Sequence, residues 1–160
     1  MDPYKLISSD SHVVEPPDLW QERIERKYRA RGPHVVREDE ADYWYVDGIR
    51  LFSFHTGSQS GRRFDDPENL SAAGLWDEVI EGSYIPSAFV KDSELDGVEA
   101  SIIYPTAGLG LFIIPDSGLL SAMCTAYNDW LIEFCSAFPQ QLLGQAMINV
   151  DDVPSAVEEL

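Results

Sequence analysis

The fold is decided by residues 5–20, which read KLISSDSHVVEPPDLW. A short apolar run predicts a buried β-strand, and the two prolines at 16–17 suit the first turn of a helix, because their backbone φ angle is already helical. Asp10 and His12 lie between these two elements. Side chains two residues apart on a strand face the same side, so a carboxylate and an imidazole here can bind one cation.

The composition excludes several classes of protein. The chain carries 28 acidic and 11 basic residues, for a formal net charge of -17. This charge repels nucleic acid and anionic membrane surfaces, so we expect neither as a partner. The N-terminus lacks a secretion-signal pattern, and no apolar run approaches the roughly 20 residues of a membrane span. Cys124 and Cys135 would lie roughly 16 Å apart on one helix, too far for a disulfide. We therefore expect a cytoplasmic protein with reduced thiols.

After the first strand, the pattern predicts a helix and then an inserted β-hairpin. Apolar residues recur at helical spacing over 18–31, and Gly-Pro at 32–33 ends the helix. Two β-rich runs, 43–46 and 49–52, flank Asp47-Gly48, a pair typical of a two-residue hairpin turn. We assign about 33–83 to the insertion, including a loop rich in glycine and serine at 55–67.

The rest of the chain alternates helix and strand. We expect a helix over 88–96, a strand over 100–104, a long helix from Asp116 or Ser117 to Phe138, a strand over 142–148 and a further helix from about 153. Strands separated by helices favour parallel pairing in a sheet that is covered on both faces. The fold class is α/β. Three strands leave open edges, so we expect further strands from a longer chain or from a partner.

Four segments in order resemble one family. They are residues 7–20 (ISSDSHVVEPPDLW), 95–106 (LDGVEASIIYPT), 126–135 (AYNDWLIEFC) and 142–146 (LLGQA). The sequence resembles the amidohydrolase-related family that includes aminocarboxymuconate-semialdehyde decarboxylase and resorcylate decarboxylase. The resemblance implies that residues 1–160 form the N-terminal portion of a (β/α)8 TIM barrel, about three βα units plus the hairpin insertion.

The same resemblance implies one catalytic divalent metal, zinc or manganese, at the carboxyl ends of the barrel strands. Asp10 and His12 match the ligand pair of the family's first strand. The family's later histidines and its late aspartate have no counterpart here, so we expect the catalytic residues downstream of this chain.

Five further residues are candidates for binding substrate, and each has a structural alternative. Glu15 either reaches the mouth of a pocket or stabilises a helix start. Arg62 and Arg63 suit an acidic substrate, or are solvated bases beside neighbouring acids. Tyr104 and Thr106 lie at the end of the second barrel strand and line the pocket or close the upper layer of the barrel.

The sequence leaves three hypotheses for the function. The first is a metal-dependent hydrolase or nonoxidative decarboxylase of a small carboxylated compound, an aromatic one included, incomplete in this chain. The second is a noncatalytic, truncated or split-barrel fragment that acts only in assembly with another chain. The third is a binding module whose ligand binding survives loss of both Asp10 and His12. For the first two we expect a homo-oligomer or a complementing chain.

Overall fold

A computed structural model describes residues 5–60, 67–71 and 73–160 of the chain. The strands are β1 (Leu6–His12), β2 (His34–Glu38), β3 (Ala41–Val46), β4 (Ile49–Ser53), β5 (Val98–Tyr104) and β6 (Leu142–Gly144). The α-helices are α1 (Leu19–Arg23), α2 (His55–Ser58), α3 (Pro86–Leu95), α4 (Ala107–Gly110), α5 (Ser117–Ser136) and α6 (Val153–Glu159). Short 3-10 turns occupy Pro67–Asn69, Trp76–Glu78, Glu81–Ser83 and Leu111–Ile113.

The first sheet is parallel, with the strand order β1-β5-β6. Ser11 lies opposite Ile103, and His12 lies opposite Tyr104. The register shifts between Ser8 and Ser11, where β1 uses one residue more than β5. This β-bulge returns Ser8 and Ser11 to one face, and the Ser11 hydroxyl donates a 2.7 Å hydrogen bond to Ser8 Oγ. A bulge re-aims the side chains beside it, here at Asp10.

One face of the parallel sheet is covered by the long helix α5. The carboxylate of Asp116 caps its start by accepting a 3.1 Å hydrogen bond from the Leu119 amide, so of the two predicted residues, Asp116 and Ser117, the cap is Asp116. The helix buries Tyr127, Trp130 and Phe134 in the core. A Cβ on Gly144 of β6 would lie 2.7 Å from the Leu131 side chain, so only glycine permits this close approach of strand and helix.

The second sheet is antiparallel, with the order β2-β3-β4. The predicted hairpin is confirmed: Val46 pairs with Ile49, and the turn residues Asp47 and Gly48 have φ angles of 50° and 78°. The division of the chain into a barrel portion and an insertion stays a prediction.

The two sheets share one core. Trp44 of β3 packs edge-to-face on Trp20 of α1, with ring centroids 5.2 Å apart, and the Trp20 indole donates a 3.0 Å hydrogen bond to the Met123 carbonyl of α5. Both indoles are buried, so α1 joins the antiparallel sheet to the helix that covers the parallel one.

Two predicted elements are shorter in the structure. The helix predicted over 18–31 ends at Arg23, because Ile24 turns to extended backbone and the chain beyond it forms turns. The Gln21 amide and the Arg31 guanidinium hold those turns through tertiary hydrogen bonds. The strand predicted over 142–148 ends at Gly144, because the Asn128 side chain bonds both backbone groups of Met147.

The expectation that the parallel strands are covered on both faces is wrong for the described chain. In β5, Ser101 and Ile103 are buried against the helices, whereas the alternate residues, such as Ala100 and Ile102, stay partly exposed. No described helix is long and apolar enough to cross a membrane.

Candidate functional site

Asp10 and His12 converge at the carboxyl end of β1. Their Oδ1 and Nε2 atoms lie 3.4 Å apart, and their side chains are 81% and 40% exposed. The prediction that the two side chains face the same way is confirmed by this distance. Both atoms carry a lone pair suited to a divalent cation, and both are open to solvent.

The other ring nitrogen of His12, Nδ1, makes a hydrogen bond with the backbone. Nδ1 lies 2.8 Å from the carbonyl oxygen of Pro105, which can only accept a hydrogen bond. His12 therefore donates from Nδ1, and neutral His12 keeps the lone pair on Nε2, the nitrogen that faces Asp10. Metal-binding histidines are oriented by the same kind of outer hydrogen bond.

Glu15 lies beneath this site and is fully buried. Its two carboxylate oxygens accept hydrogen bonds from three successive backbone amides, those of Thr106 (3.1 Å), Ala107 (2.9 Å) and Gly108 (2.9 Å). Burial raises the pKa of the Glu15 carboxyl, and the backbone amides oppose that rise by favouring the charged form. Of the two alternatives for Glu15, this geometry favours the structural one. The helix start that Glu15 bonds is that of α4, remote in sequence, and not the one that follows Glu15 in the chain.

The other predicted substrate residues are only partly brought together. Tyr104 is half-buried, with its ring 5.8 Å from the ring of His12, and so lies at the site. Thr106 is half-buried and follows the Pro105 carbonyl, and its amide donates to Glu15. Arg62 and Arg63 lie outside the described residues.

The backbone of the turn that follows β5 is the part of the site that sequence reasoning missed. The Pro105 carbonyl acts through the main chain, so no side-chain pattern reveals it. The only sequence signal is indirect: Pro105 and Gly108 bracket a tight connection after a predicted strand.

The donor set at this position amounts to two side chains. Within residues 5–60, 67–71 and 73–160, no group of three or more His, Cys, Asp or Glu side chains could hold a metal ion. The concave surfaces between α5 and α6 are lined by residues such as Cys124 and Glu159 and do not include Asp10 or His12. Asp10 and His12 thus form an open pair of donors on a strand end.

The fold matches part of a known enzyme architecture. An amidohydrolase from Mycobacterium avium subsp. paratuberculosis superposes with a TM-score of 0.71 at 17% identity, over 98% of this chain and 45% of that one. The chain therefore spans less than half the length of this structure. The predicted fold class is confirmed: a mixed α/β chain with a parallel sheet, matching part of an amidohydrolase TIM barrel.

A weaker match is 2,6-dihydroxybenzoate decarboxylase from Rhizobium, with a TM-score of 0.48 at 17% identity, over 97% of this chain and 33% of that one. No family model and no curated protein sequence matches the chain. The likeness to the amidohydrolase structure shows the fold that the sequence resemblance predicts.

Proposed function

We propose that this chain is part of a metal-dependent enzyme of the amidohydrolase superfamily, in which Asp10 and His12 bind one divalent ion, zinc or manganese. The observation that carries the proposal is the 3.4 Å approach of Asp10 Oδ1 to His12 Nε2 at the carboxyl end of a parallel strand. Barrel enzymes of this architecture carry their chemistry at that end of the sheet.

The hydrogen bonding of His12 supports the same function. A histidine that donates from Nδ1 to a backbone carbonyl presents Nε2 as a ligand in a fixed orientation. Asp10 adds a negative charge beside it, which strengthens the attraction for a dication. Two donors are fewer than the three protein ligands usual for catalytic zinc, so the proposal requires further ligands from outside the described residues.

A bound dication would polarise a substrate carboxylate or carbonyl and lower the pKa of a bound water, which suits hydrolysis or nonoxidative decarboxylation. The residues of this chain would orient the reactants around it. Tyr104 flanks His12 and offers an aromatic surface to a small carboxylated, aromatic substrate. Arg62 and Arg63 remain proposed partners of the substrate carboxylate, and Thr106 of its polar groups.

The test is metal binding by the protein at its native length, measured by calorimetry with Zn²⁺ and Mn²⁺ separately. We expect Asp10→Ala and His12→Ala to weaken binding by more than the roughly 10- to 100-fold typical of losing an outer-sphere partner. Metal-dependent decarboxylation or hydrolysis should fall with it. His34→Ala is the matched control, because His34 also donates from Nδ1 to a backbone carbonyl, that of Gly32 at 3.0 Å, but lies in the insertion.

Unchanged binding in the double variant would overturn the proposal. The competing function is a noncatalytic piece that assembles with another chain, and the exposed apolar residues Ile7 and Leu143 on the parallel strands favour it. That function predicts a stable complex with a second chain and no dependence on metal.

A further inference from the structure

The fully buried carboxylate of Glu15 is not needed to bind metal or substrate in the proposed function, yet burying a charge is costly unless it is well bonded. Its oxygens accept three backbone hydrogen bonds, all from the turn at 106–108 that follows β5. Hydrogen bonds to an ionised acceptor are roughly twice as strong as neutral ones. Both oxygens of Glu15 accept from N–H donors, so this one side chain holds the backbone of that turn at three points.

The residue that precedes this turn is Pro105, whose carbonyl accepts the Nδ1 proton of His12 at 2.8 Å. The carbonyl and the Thr106 amide belong to the same peptide group, which is planar, so the orientation of one sets that of the other. The Thr106 amide donates to Glu15 Oε1. One rigid peptide thus links the buried carboxylate to the imidazole.

The turn is also held from its other side. A Cβ on Gly108 would lie 2.5 Å from Met147 Sδ and 2.7 Å from Pro105 Cβ, so the backbone is packed closely there. Asn128 holds Met147 in turn, accepting from its amide at 2.8 Å and donating to its carbonyl at 2.9 Å. The turn has little room to move while the Glu15 carboxyl keeps its three backbone hydrogen bonds.

We propose that Glu15 is a positioning residue for His12: it holds the 106–108 turn so that the Pro105 carbonyl keeps the His12 proton on Nδ1. The Nε2 lone pair is then left facing Asp10. The inference deepens the proposed function, in which Nε2 is a metal ligand. Glu15 acts through the backbone and touches neither metal nor substrate.

The experiment is ¹⁵N NMR of the histidine side chains in the metal-free protein at its native length. In the native protein we expect neutral His12 to be predominantly the Nδ1–H tautomer. We also expect the amides of Ala107 and Gly108 to be protected from hydrogen exchange. Glu15→Gln puts an NH2 donor against one of the three amides, so the turn must shift. The population of the Nε2–H tautomer of His12 should then rise several-fold.

Asp42→Asn is the matched control, because it makes the same carboxylate-to-amide change at another buried acid that accepts from a backbone amide, that of Trp76 in another part of the chain. It should lower stability and leave the His12 tautomer unchanged. Gly108→Ala disturbs the turn with the carboxylate intact, through the contacts to Met147 and Pro105, and should move the His12 signals as Glu15→Gln does.

A folded Glu15→Gln protein with an unchanged His12 tautomer would overturn the inference and leave Glu15 a purely structural residue. Should that variant not fold, the native protein decides: a predominant Nε2–H tautomer, or freely exchanging amides at Ala107 and Gly108, overturns the inference equally. The readout uses no metal and no activity. Failure of the proposed function, which shows in metal binding, is therefore distinguishable.

Discussion

In the antiparallel sheet the central strand β3 buries Trp44 and Val46 on one face, whereas in the parallel sheet β1 leaves Leu6 53% and Ile7 64% exposed. The antiparallel sheet needs only one covered face, and the polar groups of its other face pair with one another. Arg50 donates to Glu38 at 2.8 Å, and its guanidinium also lies over the Tyr43 ring. Within the described chain, this sheet has one buried face and an outer face on which polar groups pair.

The parallel sheet leaves its apolar side chains more exposed among the described residues. Its edge strands β1 and β6 expose apolar side chains, with Leu143 of β6 45% exposed, and α6 buries none of its residues. Parallel sheets occur almost only with both faces covered. The difference teaches that the antiparallel sheet buries its apolar face within the described chain, whereas the parallel sheet leaves apolar side chains exposed beside the Asp10–His12 pair. That further strands or a partner cover them stays a prediction.

The largest expected effect comes from Trp44→Ala, which removes the contact that joins the two sheets. Trp44 is 2% exposed and packs on Trp20, so we expect a loss of about 3–5 kcal/mol in the free energy of unfolding, measured by urea denaturation. One shifted transition, seen by both circular dichroism and fluorescence, is expected. Ile132→Ala, at a residue 68% exposed on α5, should change stability by less than about 0.5 kcal/mol. Two separate transitions would show that the sheets do not share a core.

The next largest effect is expected from Asp42→Asn, which tests a buried ion pair of the antiparallel sheet. Asp42 is 3% exposed and accepts from Arg37 at 2.7 Å and from the Trp76 amide at 2.9 Å. Losing the charge should cost about 1–3 kcal/mol at pH 7. Asp77→Asn is the matched control, because Asp77 contacts the same guanidinium at 3.5 Å but is 75% exposed. It should cost less than about 0.5 kcal/mol.

The stability that Asp42→Asn removes should depend on pH and decrease in acid. Arg37 holds the pKa of the Asp42 carboxyl below its usual range. The stabilisation is therefore present above the unfolded pKa of about 3.9 and is lost as the pH falls through the lower pKa of the folded state. Urea denaturation at successive pH values should show the gap between native protein and Asp42→Asn closing in acid. A gap that widens in acid would contradict this assignment.

A smaller loss of stability is expected from replacing one glycine next to each sheet by alanine, which compares the two sheets directly. Gly48 in the β3–β4 turn and Gly97 before β5 have φ angles of 78° and 72°, with no neighbouring atom within 4 Å of an added Cβ. Alanine at either position therefore costs backbone strain alone, about 1–2 kcal/mol. Thermal denaturation should show both variants lowering one shared transition. A loss at Gly48 with none at Gly97 would mean that the parallel sheet contributes little to global stability.

The smallest change in stability is expected from Ile7→Thr on the exposed edge of the parallel sheet. It should alter the free energy of unfolding by less than about 0.5 kcal/mol while reducing self-association of the 160-residue chain in sedimentation velocity. Ile49→Thr is the control, since Ile49 is 41% exposed on the antiparallel sheet. If self-association falls only with Ile49→Thr, the antiparallel sheet and not the parallel one is the associating surface.

Much of the fold was predictable because its signals are local. Asp47-Gly48 specified a turn whose two residues both need positive φ, and Asp116 specified the start of α5 through its side chain. The strand period placed Asp10 and His12 on one side, which their 3.4 Å separation confirms. Their role as metal ligands stays a prediction, as do the substrate contacts of Arg62 and Arg63.

The sequence by itself determined the hairpin, the alternation of its predicted long helices and buried strands, and the pairing of Asp10 with His12, because each depends on residues within a few positions of one another. It did not predict β2 or α4, and it assigned the residues of α2 to a loop. Only the tertiary structure decided where α1 and β6 end, since Gln21, Arg31 and Asn128 act through contacts remote in sequence. It also decided that the turn after β5 holds both Glu15 and His12. That connection joins residues about ninety positions apart through backbone groups, which every residue carries and no sequence pattern distinguishes.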